Sequence, residues 1–212
     1  MKRTFPPLVL ASASPRRRSL LAEAGYRFRV FDPGDAEAGA DESGSLEDQA
    51  MAKARAKAER AVRAILSGAP PRLGLPRPPC LVVSADTLVA VGDEVLGKPA
   101  DRADALRMLK RLSGTRHRVI SGLCLWQVTE GASPAPPVLR AETTHVTMRA
   151  TAEEELRAYV DTGEADGKAG AYAIQETGDR FITKVEGSFS NVVGFPLELF
   201  QAQLAKAEPL AP

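Results

Sequence analysis

The sequence predicts a mixed α/β fold, and three observations predict it. Short apolar runs that read as strands alternate along the chain with amphipathic stretches of helical period. Helix start and stop signals fall between them. No segment repeats and no clear linker interrupts the alternation, so residues 1–212 are expected to form one α/β domain with two lobes.

The elements follow in order. Leu8-Val9-Leu10-Ala11 reads as a short buried strand. Ser14 suits an N-cap and Pro15 the first helical position, so a helix covers Arg16 to Ala24 and stops at Gly25. Phe28 to Phe31 is a second strand, and Pro33 to Ser43 a turn-rich acidic loop. Ser45 with Asp48 opens an Ala-rich helix running to Leu66. The five prolines and two glycines of Ser67 to Pro79 mark a surface connection. Leu81 to Val83 and Leu88 to Val91 are strand-like, and Gly92-Asp93 turns the chain back into Glu94-Val95-Leu96. Asp101 caps a helix carrying Ala105, Leu109 and Leu112 on one stripe and ended by Ser113-Gly114. His117 to Gln127 is a long strand, and Val138 to Arg149 returns as another after the turn-rich Thr129 to Pro137. Thr151 with Glu154 predicts a capping box for a helix to Asp161. Short strands are expected at Tyr172 to Ile174 and Arg180 to Val185. A last helix starts at Pro196, with Leu197, Phe200 and Leu204 on one face.

Composition removes several function classes. With 28 Lys+Arg against 27 Asp+Glu the net charge is +1, and aromatics are 5%. A nucleic-acid or membrane-surface binder needs a one-sided basic field that this balance does not supply. Two cysteines and two histidines furnish neither a disulfide framework nor an ordinary Cys/His zinc site. Met1-Lys2-Arg3, the apolar run Phe5 to Ala11 and Ala11-Ser12-Ala13 imitate a secretory signal. That run is short, holds Pro6 and Pro7, and meets Arg16-Arg17-Arg18 at once, so the segment reads as part of a cytoplasmic protein.

Four segments place polar residues and glycines where packing does not call for them. Ser12-Ala13-Ser14-Pro15-Arg16-Arg17 offers hydroxyls, helix N-terminal N–H groups and arginine at a strand end, a setting suited to phosphate. The plainer reading of the same residues is a capped helix start with solvated arginines. Ser84-Ala85-Asp86-Thr87 sets a carboxylate just after a buried run, which is costly unless it is paired, binds a cation or moves a proton. A lone Asp there is more often the partner of a turn. The following hairpin returns the chain to Gly97-Lys98-Pro99, near the same end. Gly92 to Lys98 matches a P-loop spacing, but Pro99 replaces the Ser/Thr and no helix follows directly, so that reading is rejected. His117 begins a strand at a helix–strand corner, where a structural role is favoured over catalysis. Gly170 to Gln175 and Gly187 to Pro196 are glycine-containing stretches. Gln175 carries the donor and acceptor pair that reads a nucleobase edge.

Together and in this order, these blocks resemble the Maf family of nucleoside triphosphate pyrophosphatases, over about Leu8 to Leu204. The carriers are Leu10-Ala11-Ser12-Ala13-Ser14-Pro15-Arg16-Arg17, Ala85-Asp86-Thr87 with Gly97-Lys98-Pro99, Leu112-Ser113-Gly114 with His117, Ala169 to Gln175, and Gly187-Ser188 with Asn191 to Leu197. The resemblance implies a two-lobed mixed sheet with flanking helices and a central cleft, of inosine-triphosphatase-like architecture, in a homodimer. It implies hydrolysis of a nucleoside triphosphate to the monophosphate and pyrophosphate with a divalent metal, Mg²⁺ or Mn²⁺. Asp86 matches the proton acceptor, and Arg16, Thr87 and Gln175 match positions tied to base choice. Arginine at position 16 and Tyr-x-Ile-Gln ending at Gln175 point to the dTTP/UTP branch. Lys98, Arg16, Ser12 and Ser14 are candidates for the phosphate oxygens, and Glu37 with Asp86 for the metal. The family also has a cation within the Ala-rich helix. The local pattern puts Arg55 there and a small shift of register puts Lys57, while Lys53 shares a face with Lys57. The competing reading is a non-catalytic nucleotide-binding regulator of cell division.

Overall fold

The computed structural model describes residues 6–68, 74–130 and 135–206. Parts of the signal-like start, of the proline-rich connection and of the Thr129 to Pro137 turn lie outside the described residues. The elements are β1 (Leu8–Ala11), α1 (Pro15–Glu23), β2 (Phe28–Phe31), α2 (Leu46–Leu66), β3 (Cys80–Val91), β4 (Glu94–Leu96), α3 (Arg102–Leu112), β5 (Arg116–Val128), β6 (Val138–Met148), α4 (Glu153–Asp161), β7 (Ile182–Glu186), α5 (Phe189–Val193) and α6 (Leu197–Lys206). The mixed sheet has seven strands in the order β2-β1-β3-β5-β6-β7, with β4 paired to β3. β1 is parallel to both β2 and β3, while β3–β4 and β6–β7 are antiparallel. Among the described residues no helix is long and apolar enough to cross a membrane.

The chain folds as two compact units. Of the described residues, the first takes those up to Asp86, those within 121–142, and those from Gly194. Its strands bury both faces by simple alternation. Leu8, Leu10, Leu81, Val83, Ala85, Leu123 and Leu125 point to one face, where Leu21 of α1 and Phe200 and Leu204 of α6 cover them. Val9, Ala11, Cys80, Val82 and Cys124 point to the other, covered by Ala54, Ala58, Ala61, Val62 and Ile65 of α2. The alanine stripe allows α2 to sit close. A Cβ on Gly122 of β5 would lie 2.2 Å from the Ala50 carbonyl carbon and oxygen, so glycine there is what the approach requires. The Ser45 and Asp48 capping box of α2 forms as predicted.

The second unit takes Thr87–Ile120 and Thr143–Val193. It holds the β3–β4 hairpin, α3 capped by Asp101, α4, β7 and α5. Tyr159 and Phe181 are fully buried here, edge to face with centroids 5.3 Å apart.

Several local expectations are corrected. Leu81–Val83 and Leu88–Val91 are one continuous strand, because Ser84 and Asp86 find partners and need not leave the ladder. Ser14 occupies the N-cap of α1 as expected, but its side chain makes no capping bond, and its N–H donates to Ser12 Oγ at 3.2 Å. Ala152, not Thr151, sits at the N-cap of α4, and the Thr151 hydroxyl donates to the Arg149 carbonyl. Tyr172 to Ile174 is not a strand but follows a 3-10 turn at Ala169–Ala171. A second such turn at Thr177–Phe181 delays β7 to Ile182. The five-residue α5 forms within Gly187 to Pro196, which the sequence shows only as a glycine-containing stretch.

Candidate functional site

In the first unit, alternate residues of β3 meet α2. Val82 joins the α2-side core, and Ser84, two residues on, is fully buried and donates its hydroxyl to the Ala54 carbonyl at 2.6 Å. Asp86 comes two residues later on the same face, and Lys57 comes three residues after Ala54 on the same side of the helix. The two meet: Lys57 Nζ lies 2.6 Å from Asp86 Oδ1 and 3.4 Å from Glu37 Oε1 of the loop after β2. The lysine side chain is only 9% exposed. A buried ammonium costs several kcal/mol in lost hydration, so it is found where carboxylates offset that loss.

Arg17 completes the cluster. It stands four residues before buried Leu21 on α1 and is itself 8% exposed. Its Nε donates to the Gly194 carbonyl at 2.8 Å and its Nη1 to Ser12 Oγ at 3.3 Å. Burial pulls the guanidinium below its usual value; the charge of Asp86 opposes this, Arg16 adds to it, and Glu37 opposes it. A guanidinium stays protonated even so. The start of α1 carries no side-chain cap and no acidic residue in its first turn. Its N–H groups, two buried cations and two carboxylates therefore share one neighbourhood. That inventory suits a polyphosphate with its counter-cation.

In the second unit, Val89 pairs with Leu96 and Val91 with Glu94 around the Gly92-Asp93 turn, as predicted. Lys98 is exposed two residues beyond β4. Gly97 next to it accepts the Gly170 N–H at 3.0 Å. His117 is 1% exposed, and its Nε2 lies 2.9 Å from the Tyr172 hydroxyl. Desolvation pulls the imidazole down to about 4, so it is neutral at physiological pH. Its Nδ1 is buried without a partner among the described residues. His117 is thus a structural residue, in line with its corner position. Gln175 is exposed on the segment that Tyr172 begins.

The family model for the Maf-like protein matches residues 7–207. The chain belongs to the Maf family. Relatives of this Maf chain include the dTTP/UTP pyrophosphatase of Bdellovibrio bacteriovorus, 41% identical over 201 residues, which are 95% of this chain and 98% of that protein. The dTTP/UTP pyrophosphatase of Anaeromyxobacter dehalogenans strain 2CP-1 is 44% identical over 203 residues, 95% of this chain and 94% of that one. Among solved structures, the Staphylococcus aureus Ham1 protein covers 95% of this chain and 100% of its own, at 15% identity and a TM-score of 0.49.

Of the residues singled out in the Maf sequence, Ser12, Glu37, Lys57 and Asp86 gather in the first unit, where Ser14 and a half-buried Arg16 open α1. Lys57, not Arg55, makes the ion pair, and Arg55 is exposed two residues away. Lys53, one turn before Lys57, instead pairs with Glu42 at 3.0 Å. Thr87, Lys98 and Gln175 belong to the second unit. Asp86 lies inside a strand rather than just past one. Sequence alone groups Arg17 with Arg16 as one pair. Its spacing of four from Leu21 is the signal that assigns it to the buried face.

Proposed function

We propose that this Maf chain hydrolyses dTTP and UTP to the nucleoside monophosphate and pyrophosphate. The observation that carries the reading is Lys57 buried between Asp86 and Glu37, with Arg17 close enough for its charge to be felt by both carboxylates. The names of the curated relatives support the same substrates.

In this reading water attacks the α-phosphorus, the new P–O bond forms as the bond to the bridging oxygen breaks, and pyrophosphate leaves. Asp86 takes the proton of the attacking water, and Lys57 holds that carboxylate in place. Arg17, Ser12 and the α1 N–H groups bind phosphate oxygens, aided by Arg16, Ser14 and Lys98. Thr87 and Gln175 face the pyrimidine, whose carbonyl beside an N–H matches an amide. Glu37 Oε2 is buried with no hydrogen-bond partner among the described residues, and an orphaned carboxylate oxygen fits a hard divalent cation. Glu37 and Asp86 would hold Mg²⁺ or Mn²⁺, which neutralises triphosphate charge when bound. The same reading makes the enzyme a cytoplasmic homodimer acting on free nucleotides rather than on nucleic acid or membranes.

The test is a product-resolved assay over a nucleotide panel with Mg²⁺ or Mn²⁺. UMP and pyrophosphate from UTP in equal amounts are expected. Orthophosphate as the first product, or tight binding without turnover under any divalent metal, overturns the reading.

A further inference from the structure

Every residue around Gln175 in the second unit is tied down. The Tyr172 hydroxyl meets His117 Nε2 at 2.9 Å. Ala173 donates its N–H to the hydroxyl of Tyr159 at 3.1 Å. The Ile174 side chain is buried. Glu176 pairs with Lys168 Nζ at 3.0 Å, and Lys168 also donates to the Glu164 carbonyl. Thr177 gives both its N–H and its hydroxyl to Glu164 Oε2, at 3.1 and 2.8 Å. Just upstream, Ala171 is buried at a φ of 59°, a left-handed backbone that a non-glycine residue adopts only when its surroundings impose it. Gln175, Glu176 and Thr177 are exposed, and of these three Gln175 has no side-chain hydrogen-bond partner among the described residues.

A segment built this way holds one amide at a set place. Ordering the loop before binding lowers the cost of recognition, because its backbone does not have to be immobilised by the ligand. The central anchor is Tyr159. It is fully buried on α4 and packed against Phe181, and its hydroxyl accepts from the backbone two residues before Gln175. Gly178 closes the same corner. A Cβ there would lie 2.6 Å from the Ala173 carbonyl oxygen and 3.1 Å from the Tyr159 hydroxyl.

We propose that Tyr159 is a positioning residue for base recognition: its buried hydroxyl sets the Ala173 peptide and, through it, the place from which Gln175 reads the pyrimidine edge. This rests on the proposed role of Gln175. Tyr159 touches no substrate and acts only through the loop. Replacing it by Phe removes one oxygen and leaves the ring edge to face with Phe181, so the variant isolates the positioning bond from the core.

The test measures kcat/KM of the full chain for UTP and for N3-methyl-UTP, whose edge is blocked where the amide would pair. Gln175→Ala is expected to lower the preference for UTP by about tenfold, and Tyr159→Phe by about threefold to tenfold, the range of one hydrogen bond. In Tyr159→Phe, kcat at saturating UTP stays within about twofold. Tyr159→Phe added to Gln175→Ala changes the preference no further. Gly178→Ala, whose added Cβ crowds the Ala173 backbone and the Tyr159 hydroxyl together, lowers it as well. An intact preference in Gln175→Ala overturns the role of Gln175 and the inference with it. A preference lost in Gln175→Ala but intact in Tyr159→Phe overturns the inference alone. So does a Tyr159→Phe effect that persists unreduced in the double variant, or one that falls equally on both nucleotides.

Discussion

Lys57 and Asp86 lie 29 residues apart in sequence and 2.6 Å apart in space, one on a helix and one inside a strand. Each is the reason the other is tolerated in a largely apolar layer. Asp86→Asn keeps the shape and removes the negative charge. Loss of the proton acceptor lowers kcat about a hundredfold or more, the usual span for a general base. Steady-state rates with UTP check this.

Lys57→Met leaves Asp86 and Glu37 without their shared cation. Breaking a buried pair from one side costs about 3 kcal/mol or more when it is fully desolvated. Asp86 and Glu37 retain some exposure, so a smaller loss is expected here. The fall should appear in the urea midpoint at pH 7, and it should shrink when Asp86→Asn is combined with it.

The placement of that pair depends on how α2 docks, and the device is the Ser84 hydroxyl on the Ala54 carbonyl together with Gly122 against Ala50. Ser84→Ala removes a bond worth about 1 kcal/mol and lowers the melting temperature by a few degrees. Gly122→Ala forces backbone apart and costs more, about 1–3 kcal/mol or beyond. Both variants lower activity although neither residue faces substrate. Thermal melts and rates on the two proteins check the ranking.

His117 makes stability fall in acid. Its folded value is about 4 because of desolvation, against 6.5 for the free side chain. Between these values the unfolded chain binds a proton that the folded chain refuses, so stability declines as pH drops below about 6.5 and this contribution levels off below about 4. The span amounts to about 3 kcal/mol. Urea unfolding of the wild type and of His117→Gln from pH 7 to pH 4 checks it. The difference between the two curves carries the slope, since carboxylates common to both cancel.

What the sequence shows of this fold depends on how local each signal is. The capping box of α2, the Asp101 cap and the Gly92-Asp93 turn are local, and each appears where the residues place it. Ser84 and Asp86 look like a break in β3 because their partners, Ala54 and Lys57, sit on a distant helix. Choosing Lys57 over Arg55 needs that same contact, since helical spacing alone leaves both faces open. Tyr172 to Ile174 alternates like a strand, yet its backbone turns under the Tyr159 hydroxyl and a left-handed Ala171. Pattern does not reveal such tertiary hydrogen bonds.

Arg17 gives the sharpest contrast between neighbours. Arg16 and Arg17 are adjacent, so they project about 100° apart on α1, and only Arg17 is buried, braced by Gly194 and Ser12. Arg17→Lys keeps the charge but not the fork. A single ammonium lacks the planar geometry that lets Arg17 reach the Gly194 carbonyl and the Ser12 hydroxyl together. KM for UTP should rise about tenfold or more, with a loss of stability from the lost Arg17–Gly194 bond. Arg16→Lys, at a half-buried position, should raise KM less and leave the melting temperature within about two degrees. A rise in KM for Arg16→Lys that matches or exceeds that for Arg17→Lys would shift the main phosphate grip to Arg16 and leave Arg17 as a brace between α1 and Gly194.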